Sequence, residues 1–219
     1  MTQPAIIFAN GFPAHGQAVQ RVLEAHPNRC IIAADGGANL AYQEYQLIPH
    51  IIIGDMDSTT TEQQAFFQQH GSVFHVFPPE KDETDLELAL LYARQHGHNP
   101  IFIIGAFGNR FDQTLGNVYL LALPALAGHD VRLVGFEQQL WLVGAGEHTI
   151  HGAVGDTLSL LPFSARVSQV HTHGLYYPLN GEDLLLGYAR GMSNVFTQTE
   201  VTIHFTAGSL VLIHTQGRA

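Results

Sequence analysis

The chain has 219 residues, 46% of them hydrophobic and 13% charged, and a formal net charge of −10 from nineteen acids against nine lysines and arginines. That is enough chain for one sizeable core or two smaller ones, and the acidic balance argues against a nucleic-acid groove or an anionic membrane surface as partner. The opening MTQPAIIFANG has neither a basic start nor a long apolar run, so no signal peptide or membrane span is expected. A single cysteine, Cys30, excludes an internal disulfide framework and fits a cytoplasmic protein.

Short apolar runs alternate with helical patterns through the first half. AIIFA (5–9), CIIAA (30–34), HIII (50–53), VFHVF (73–77), IFII (101–104) and VRLVG (131–135) read as strands covered on both faces. Between them, residues 16–26, 60–70, 84–97 and 113–126 carry apolar side chains at helical spacing. This alternation predicts a Rossmann-like, mostly parallel α/β domain over 1–137. From about residue 138 the pattern becomes alternating apolar and polar with regular Gly, Pro or Ser punctuation, which predicts a smaller antiparallel β-sandwich-like domain over 138–219. VTIHFTAGSLVLIHT reads as a hairpin turning at Ala207-Gly208, and GEDLLLGYA is ambiguous between helix and strand.

In an open α/β sheet, ligands bind beyond the carboxyl ends of the strands. Four successive strand ends deliver acids there. DGGAN brings Asp35, GDMDS brings Asp55 and Asp57, PPEKDETD brings Lys81, Asp82 and Asp85, and GAFGNRFDQ brings Arg110 and Asp112. Each has an ordinary reading as well. Asp-x-Asp-Ser is turn and cap chemistry, Thr84-x-x-Glu87 is a capping box, Asp35 with two glycines is a turn, and Arg110 with Asp112 is a surface pair. Those readings do not explain why all four fall at the same kind of position. Clustered carboxylates call for a cation, and an all-oxygen set suits Mg²⁺ shared with phosphates; Lys81, the only lysine, and Arg110 would meet phosphate oxygens.

Other signals are weaker. There is no G-x-x-x-x-G-K-[ST] phosphate loop. His171-x-His173, His96-x-His98 and His148-x-x-His151 are the nearest approach to zinc spacing, without an H-E-x-x-H or a cysteine pair to support them.

ADGGAN, IGDMDS, EKDETDLELAL and GAFGNRFDQTLGN, followed by GDTLSLLPF, GLYYPL, ARGMSN and GSLVLIH, together resemble the thiamine pyrophosphokinase (thiamine diphosphokinase) family over nearly the whole chain. The resemblance implies transfer of the β,γ-diphosphate of ATP to the hydroxyl of thiamine, giving thiamine diphosphate and AMP, in a homodimer whose active sites are shared between subunits. It implies an ATP- and Mg²⁺-binding catalytic domain followed by a thiamine-binding, dimerising one. By motif, Asp55, Asp57 and Asp85 match metal-binding acids, and Asp57, Asp85, Lys81 and Arg110 match the catalytic set. Asp35, Gly36, Asn39, Asp82, Asp112 and Gln113 match the nucleotide and substrate surround. Tyr177 stands where the family places an aromatic over the thiamine ring, and Ser193 and Asn194 match the pair lining the thiamine site. Gly105-Ala106 departs from the family's Gly-Gly. Two alternatives stay open: a diphosphokinase for another hydroxymethyl heterocycle such as a pterin, and a non-catalytic nucleotide-binding module.

Overall fold

The structure, a computed structural model, describes residues 2–217 and divides into two compact units, one ending at Phe136 and the other starting at Glu137. Among the described residues of the first unit, six strands alternate with five helices. In order these are β1 (Ala5–Phe8), α1 (Gln17–Ala25), β2 (Cys30–Ala34), α2 (Gly37–Tyr45), β3 (Ile51–Gly54) and α3 (Thr61–Gln69). There follow β4 (Val73–Val76), α4 (Asp85–Gln95), β5 (Ile101–Ile104), α5 (Phe111–Tyr119) and β6 (Val131–Gly135). Every neighbouring pair is parallel, in the order β4-β3-β2-β1-β5-β6. The winding reverses at β1, so the loops after β1 and β5 part there and leave a crevice.

The isoleucine runs explain the sheet. Alternate residues of a strand face opposite sides, and here both sides are covered. Ile6 and Phe8, with Ile31, Phe102, Ile104 and Val134, pack against Ala18, Val19 and Val22 of α1 and Leu40 and Ala41 of α2. Ile7, Ile32, Ile53 and Ile103 face the other way and are equally buried. There α4, with Leu86, Ala89, Leu90 and Ala93 buried, packs along β1, β2 and β3. A fully buried side chain such as Leu90 contributes about 1.5–3 kcal/mol. The strand β4 departs from expectation: Val73 and Val76 are 53% and 66% exposed, because it is the edge of the sheet.

Helix ends follow local chemistry. Thr84 caps α4, its Oγ accepting from Glu87 N at 3.2 Å. The full reciprocal capping box belongs instead to α3, where Thr60 and Gln63 each accept from the other's backbone N–H. The pattern over 113–126 is only partly one helix. It ends at Tyr119 and continues as two 3-10 turns, the second opening on Pro124, which lacks the N–H a continuing helix needs.

In the second unit the strands are antiparallel: β7 (Gln138–His151), β8 (Thr157–Pro162), β9 (Arg166–His173), β10 (Asn180–Leu185), β11 (Asn194–Val195) and β12 (Glu200–Thr215). The expected hairpin at Ala207-Gly208 is not formed. Residues 200–215 are one long strand, paired with β7 on both sides of a register shift between Phe205 and Ser209. On its other edge β12 pairs first with β9 and then with β8. A bulge of this kind bends a strand, so that its two halves pair with different neighbours on that edge. Gly208 is required there: its φ is +94°, and a Cβ would lie 2.4 Å from the Arg166 carbonyl oxygen. The core of this unit includes Phe196, Phe205, Ile203, Leu160 and Leu212. The ambiguous GEDLLLGYA is strand β10 and the turn after it, and no helix occurs among the described residues of this unit.

Candidate active site

The carboxylates meet because of how β2 and β3 end. Asp35 follows β2 in the left-handed region (φ 42°) and is almost fully buried. Its Oδ2 accepts from Ser58 N at 3.1 Å, while Oδ1 is buried without a hydrogen-bond partner. After β3, Gly54 leaves room that no other residue would: a Cβ there would come within 2.9 Å of Asp35 Cβ and 3.0 Å of Asp85 Cγ. Met56 then takes φ 66° and turns its side chain into the cluster formed by Ile52 and Phe67. With Met56 anchored inward, the aspartates on either side of it stay together. Asp55 Oδ1 accepts from Asp57 N at 3.2 Å, and Asp57 Oδ1 from the Ser58 hydroxyl at 2.9 Å.

Asp35, Asp55 and Asp57 each offer a carboxylate oxygen within 4.8 Å of the others. Burial, with a further contribution from nearby Asp85, pushes the Asp35 carboxyl above its usual range, against the lowering effect of the Ser58 hydrogen bonds. A buried, unpartnered oxygen in an all-carboxylate group fits a hard divalent cation. Asp85, grouped with the metal acids by sequence, is held at the N-terminus of α4 and takes a different partner. Lys81 Nζ lies 3.0 Å from Asp85 Oδ1 and 3.8 Å from Asp55 Oδ2. Desolvation opposes the lysine's charge, but the Asp85 hydrogen bond and the charges of Asp85, Asp55 and Asp57 outweigh it and raise its pKa.

Beside this cluster, within the first unit, lies a cavity of about 950 Å³ at the crevice between β1 and β5. Its walls include Asp35, Asp55, Asp57 and Asp85 on one side and Arg110, Asp112 and Gln113 on the other. Arg110, at the N-cap of α5, donates Nε and Nη2 to Asp112 at 3.2 and 2.5 Å, and both side chains are exposed. Asp82, Asn39 and Gly36 do not line the cavity. Asp82 is exposed; Asn39 Nδ2 donates to Ser58 O and Gln63 Oε1, bracing the aspartate loop; and Gly36 lets the Asn10 amide approach, 2.5 Å from where a Cβ would stand. The Gly105-Ala106 departure is accommodated: Ala106 is buried and its carbonyl accepts from Asn117 Nδ2 at 2.7 Å.

Sequence reasoning missed the loop after β1. Asn10, Gly11 and Phe12 line the same cavity, and Gly11 passes so close that a Cβ would lie 2.2 Å from Gly105 O. The available signal was positional, a strand ending in Asn-Gly, but it carried no charge to draw attention.

In the second unit, Tyr177, Ser193 and Asn194 are neighbours. The buried Asn194 accepts from Tyr177 N at 2.9 Å and donates to Tyr177 O at 2.7 Å, clamping that backbone while the ring stays 66% exposed. Ser193, at φ 52°, donates its N–H to Ser159 Oγ at 2.9 Å.

A doubly wound sheet with a polar cavity at its switch point, walled by acids beside a lone lysine, defines the class: an α/β enzyme whose site is built electrostatically. Residues 22–133 match the profile described as thiamin pyrophosphokinase, catalytic domain, and residues 147–210 that described as thiamin pyrophosphokinase, vitamin B1 binding domain. A thiamine pyrophosphokinase of Bacillus subtilis is 32% identical over 168 residues, 76% of this chain and 78% of the relative. Thiamine pyrophosphokinase 1 of Arabidopsis thaliana is 27% identical over 198 residues, covering 78% and 73%. The crystal structure of a thiamine pyrophosphokinase from Bacillus subtilis superposes with a TM-score of 0.85 at 27% identity, over 98% of this chain and 99% of that one. A thiamin pyrophosphokinase family protein from Enterococcus faecalis gives 0.86 at 23% identity over 99% and 100%, a likeness of fold. The chain belongs to the thiamine pyrophosphokinase family.

Proposed function

We infer that the chain transfers the β,γ-diphosphate of ATP to the hydroxyl of thiamine, forming thiamine diphosphate and AMP. The observation that carries this reading is the Asp35–Asp55–Asp57 group beside Lys81 on the wall of the switch-point cavity. In the reaction the thiamine oxygen bonds to the β-phosphorus, and the bond from that phosphorus to the α,β-bridging oxygen breaks. The hydroxyl proton passes to a carboxylate, Asp85 or Asp57, and then to solvent.

Transfer of this kind is mostly positioning and charge neutralisation. Asp35, Asp55 and Asp57 would hold Mg²⁺, with Asp85 close by, and the ion supplies neutralisation of phosphate charge. Lys81, kept protonated by its carboxylates, stabilises charge developing on the transferred group. Arg110 does so from the opposite wall after exchanging Asp112 for phosphate. Tyr177 offers an exposed face to the thiazolium cation, and Asn194 and Ser193 fix that segment.

The protein is proposed to act as a homodimer with shared active sites. Helix α5 supports a partner surface: it buries none of its residues, and Phe111 and Leu115, one turn apart, are 81% and 53% exposed. Among the described residues no helix is long and apolar enough to cross a membrane. The lone Cys30, whose thiol burial pushes up, suits the reducing cytoplasm proposed for it.

The test is incubation with ATP, MgCl₂ and thiamine, resolving nucleotides and thiamine species by chromatography. AMP and thiamine diphosphate in equal amounts are expected, with loss of both on chelation by EDTA and return on adding Mg²⁺. Thiamine monophosphate with ADP would overturn the reading.

A further inference from the structure

Resting on the reading that Asp35, Asp55 and Asp57 hold Mg²⁺, we propose that Ser58 is their positioning residue: its hydroxyl keeps the Asp57 carboxylate beside the other two and so sets how tightly the chain takes a divalent cation. The three acids come from two separate strand ends, Asp35 after β2 and Asp55 and Asp57 after β3, and their oxygens lie within 4.8 Å of one another. Like charges that close repel. Asp35 is buried and Asp55 half-buried, so packing restrains both, whereas Asp57 is exposed and has water to turn towards. Ser58 opposes that turn. Its Oγ donates to Asp57 Oδ1 at 2.9 Å, and among the described residues it is the one hydrogen-bond donor to that carboxylate. Its backbone N–H donates to Asp35 Oδ2 at 3.1 Å, so a single residue joins an acid from each strand end. Asp57 gives its own N–H to Asp55 Oδ1 at 3.2 Å, which completes a chain from Asp35 through Ser58 and Asp57 to Asp55.

Ser58 is fixed in turn by two helices. Its carbonyl accepts from Asn39 Nδ2 of α2 at 3.5 Å, and the same nitrogen lies 3.4 Å from Gln63 Oε1 of α3. Gln63 Oε1 also accepts from Thr60 N at 2.8 Å, as part of the capping box that starts α3. The acid loop is thereby referenced to α2 and α3 through backbone and amide groups that carry no net charge. An ordinary turn residue would account for the two backbone bonds of Ser58, since any residue but proline can make them. It would not account for the hydroxyl on the Asp57 carboxylate, which among small side chains only serine or threonine supplies. A hydrogen bond made to a metal-binding carboxylate from outside the ion's own shell orients that ligand, and losing such a bond typically lowers metal affinity by about tenfold to a hundredfold.

The experiment is titration of the full chain with Mn²⁺, a hard ion that takes the same oxygen ligands as Mg²⁺, followed through the paramagnetic resonance signal of the free ion. The steady-state rate is measured against Mg²⁺ concentration alongside. Ser58→Ala removes the hydroxyl and leaves both backbone bonds in place. It is expected to weaken Mn²⁺ binding by about tenfold or more and to raise the Mg²⁺ needed for half-maximal rate by a similar factor, with the KM for thiamine at saturating Mg²⁺ unmoved. Ser58→Thr, which returns the hydroxyl, is expected to recover most of both losses. Melting curves in EDTA that match the parent establish that each variant is folded; should Ser58→Ala not fold, the equally shaped pair Ser58→Thr and Ser58→Val decides the question. Parental Mn²⁺ affinity in folded Ser58→Ala, or an equal loss in Ser58→Thr, would overturn the role of Ser58 and leave the metal site standing. Were parental binding absent, or undiminished by Asp57→Asn, the aspartates would not be the metal site, and the proposal would fall with that reading.

Discussion

Removing one charge from the aspartate group tests its chemistry without disturbing the fold, because Asp57 lies at an exposed loop position and not in the core. Asp57→Asn keeps the shape and the acceptor for the Ser58 hydroxyl but removes a full negative charge. The expected result is a fall in kcat of about 10²–10³-fold with an unchanged melting temperature; a parental kcat would take Asp57 out of the mechanism. Asp156 is a different kind of acid. Burial acts to raise its pKa, but hydrogen bonds from Gly217 N and Ala153 N at 2.7 and 2.9 Å, and from His214 Nε2 at 2.7 Å, outweigh that and leave it lowered. A carboxyl lowered in the folded state adds stability above its unfolded value of about 3.9, and that stability is lost as pH falls through the folded pKa. Asp156→Asn should therefore melt below the parent at pH 7, with the gap narrowing below about pH 4; a constant gap across that range would count against the charge.

At the scale of elements, what the sequence displayed was whatever local pattern controls. Runs such as Ile51–Ile53 and Ile101–Ile104 have few alternatives to buried parallel strands, and the acids that follow them marked the site edge. Helix α2 was not legible because its first residue belongs to a Gly-Gly pair that reads as a turn, and its apolar stripe is short. The hairpin at Ala207-Gly208 failed for a related reason: glycine in an alternating run serves a turn or a bulge equally well. The choice was made by partners far along the chain, β7 on one side and β8 and β9 on the other. The cross-strand pairing of His204 with Glu147 and His171 was hidden in the same way, since register is not a local property. Gly208→Ala tests the bulge. With φ +94° and the Arg166 carbonyl in the way, it should cost about 1–3 kcal/mol in urea unfolding of the second unit; a cost near zero would show that the strand can straighten.

For the whole molecule, the acidic composition and the apolar face of α5 point in opposite directions, the first favouring solubility and the second a partner. Leu115→Glu places a charge on that face, and if the parent sediments as the proposed dimer the variant should sediment as monomer; a variant dimer would move the interface elsewhere. Strand β12 carries a consequence for how the protein is made. It pairs with β7, β8 and β9, all of which leave the ribosome before it. Until residue 215 has emerged, those strands present open edges and the inner faces of a core lacking Phe205, Leu210 and Leu212. The first unit, whose last strand is β6, has no such wait. Synthesis should thus yield a folded α/β half trailing a sticky, unfinished β half, so a nonsense change shortly before residue 200 would produce an aggregating chain with its cavity-lining carboxylates already in place.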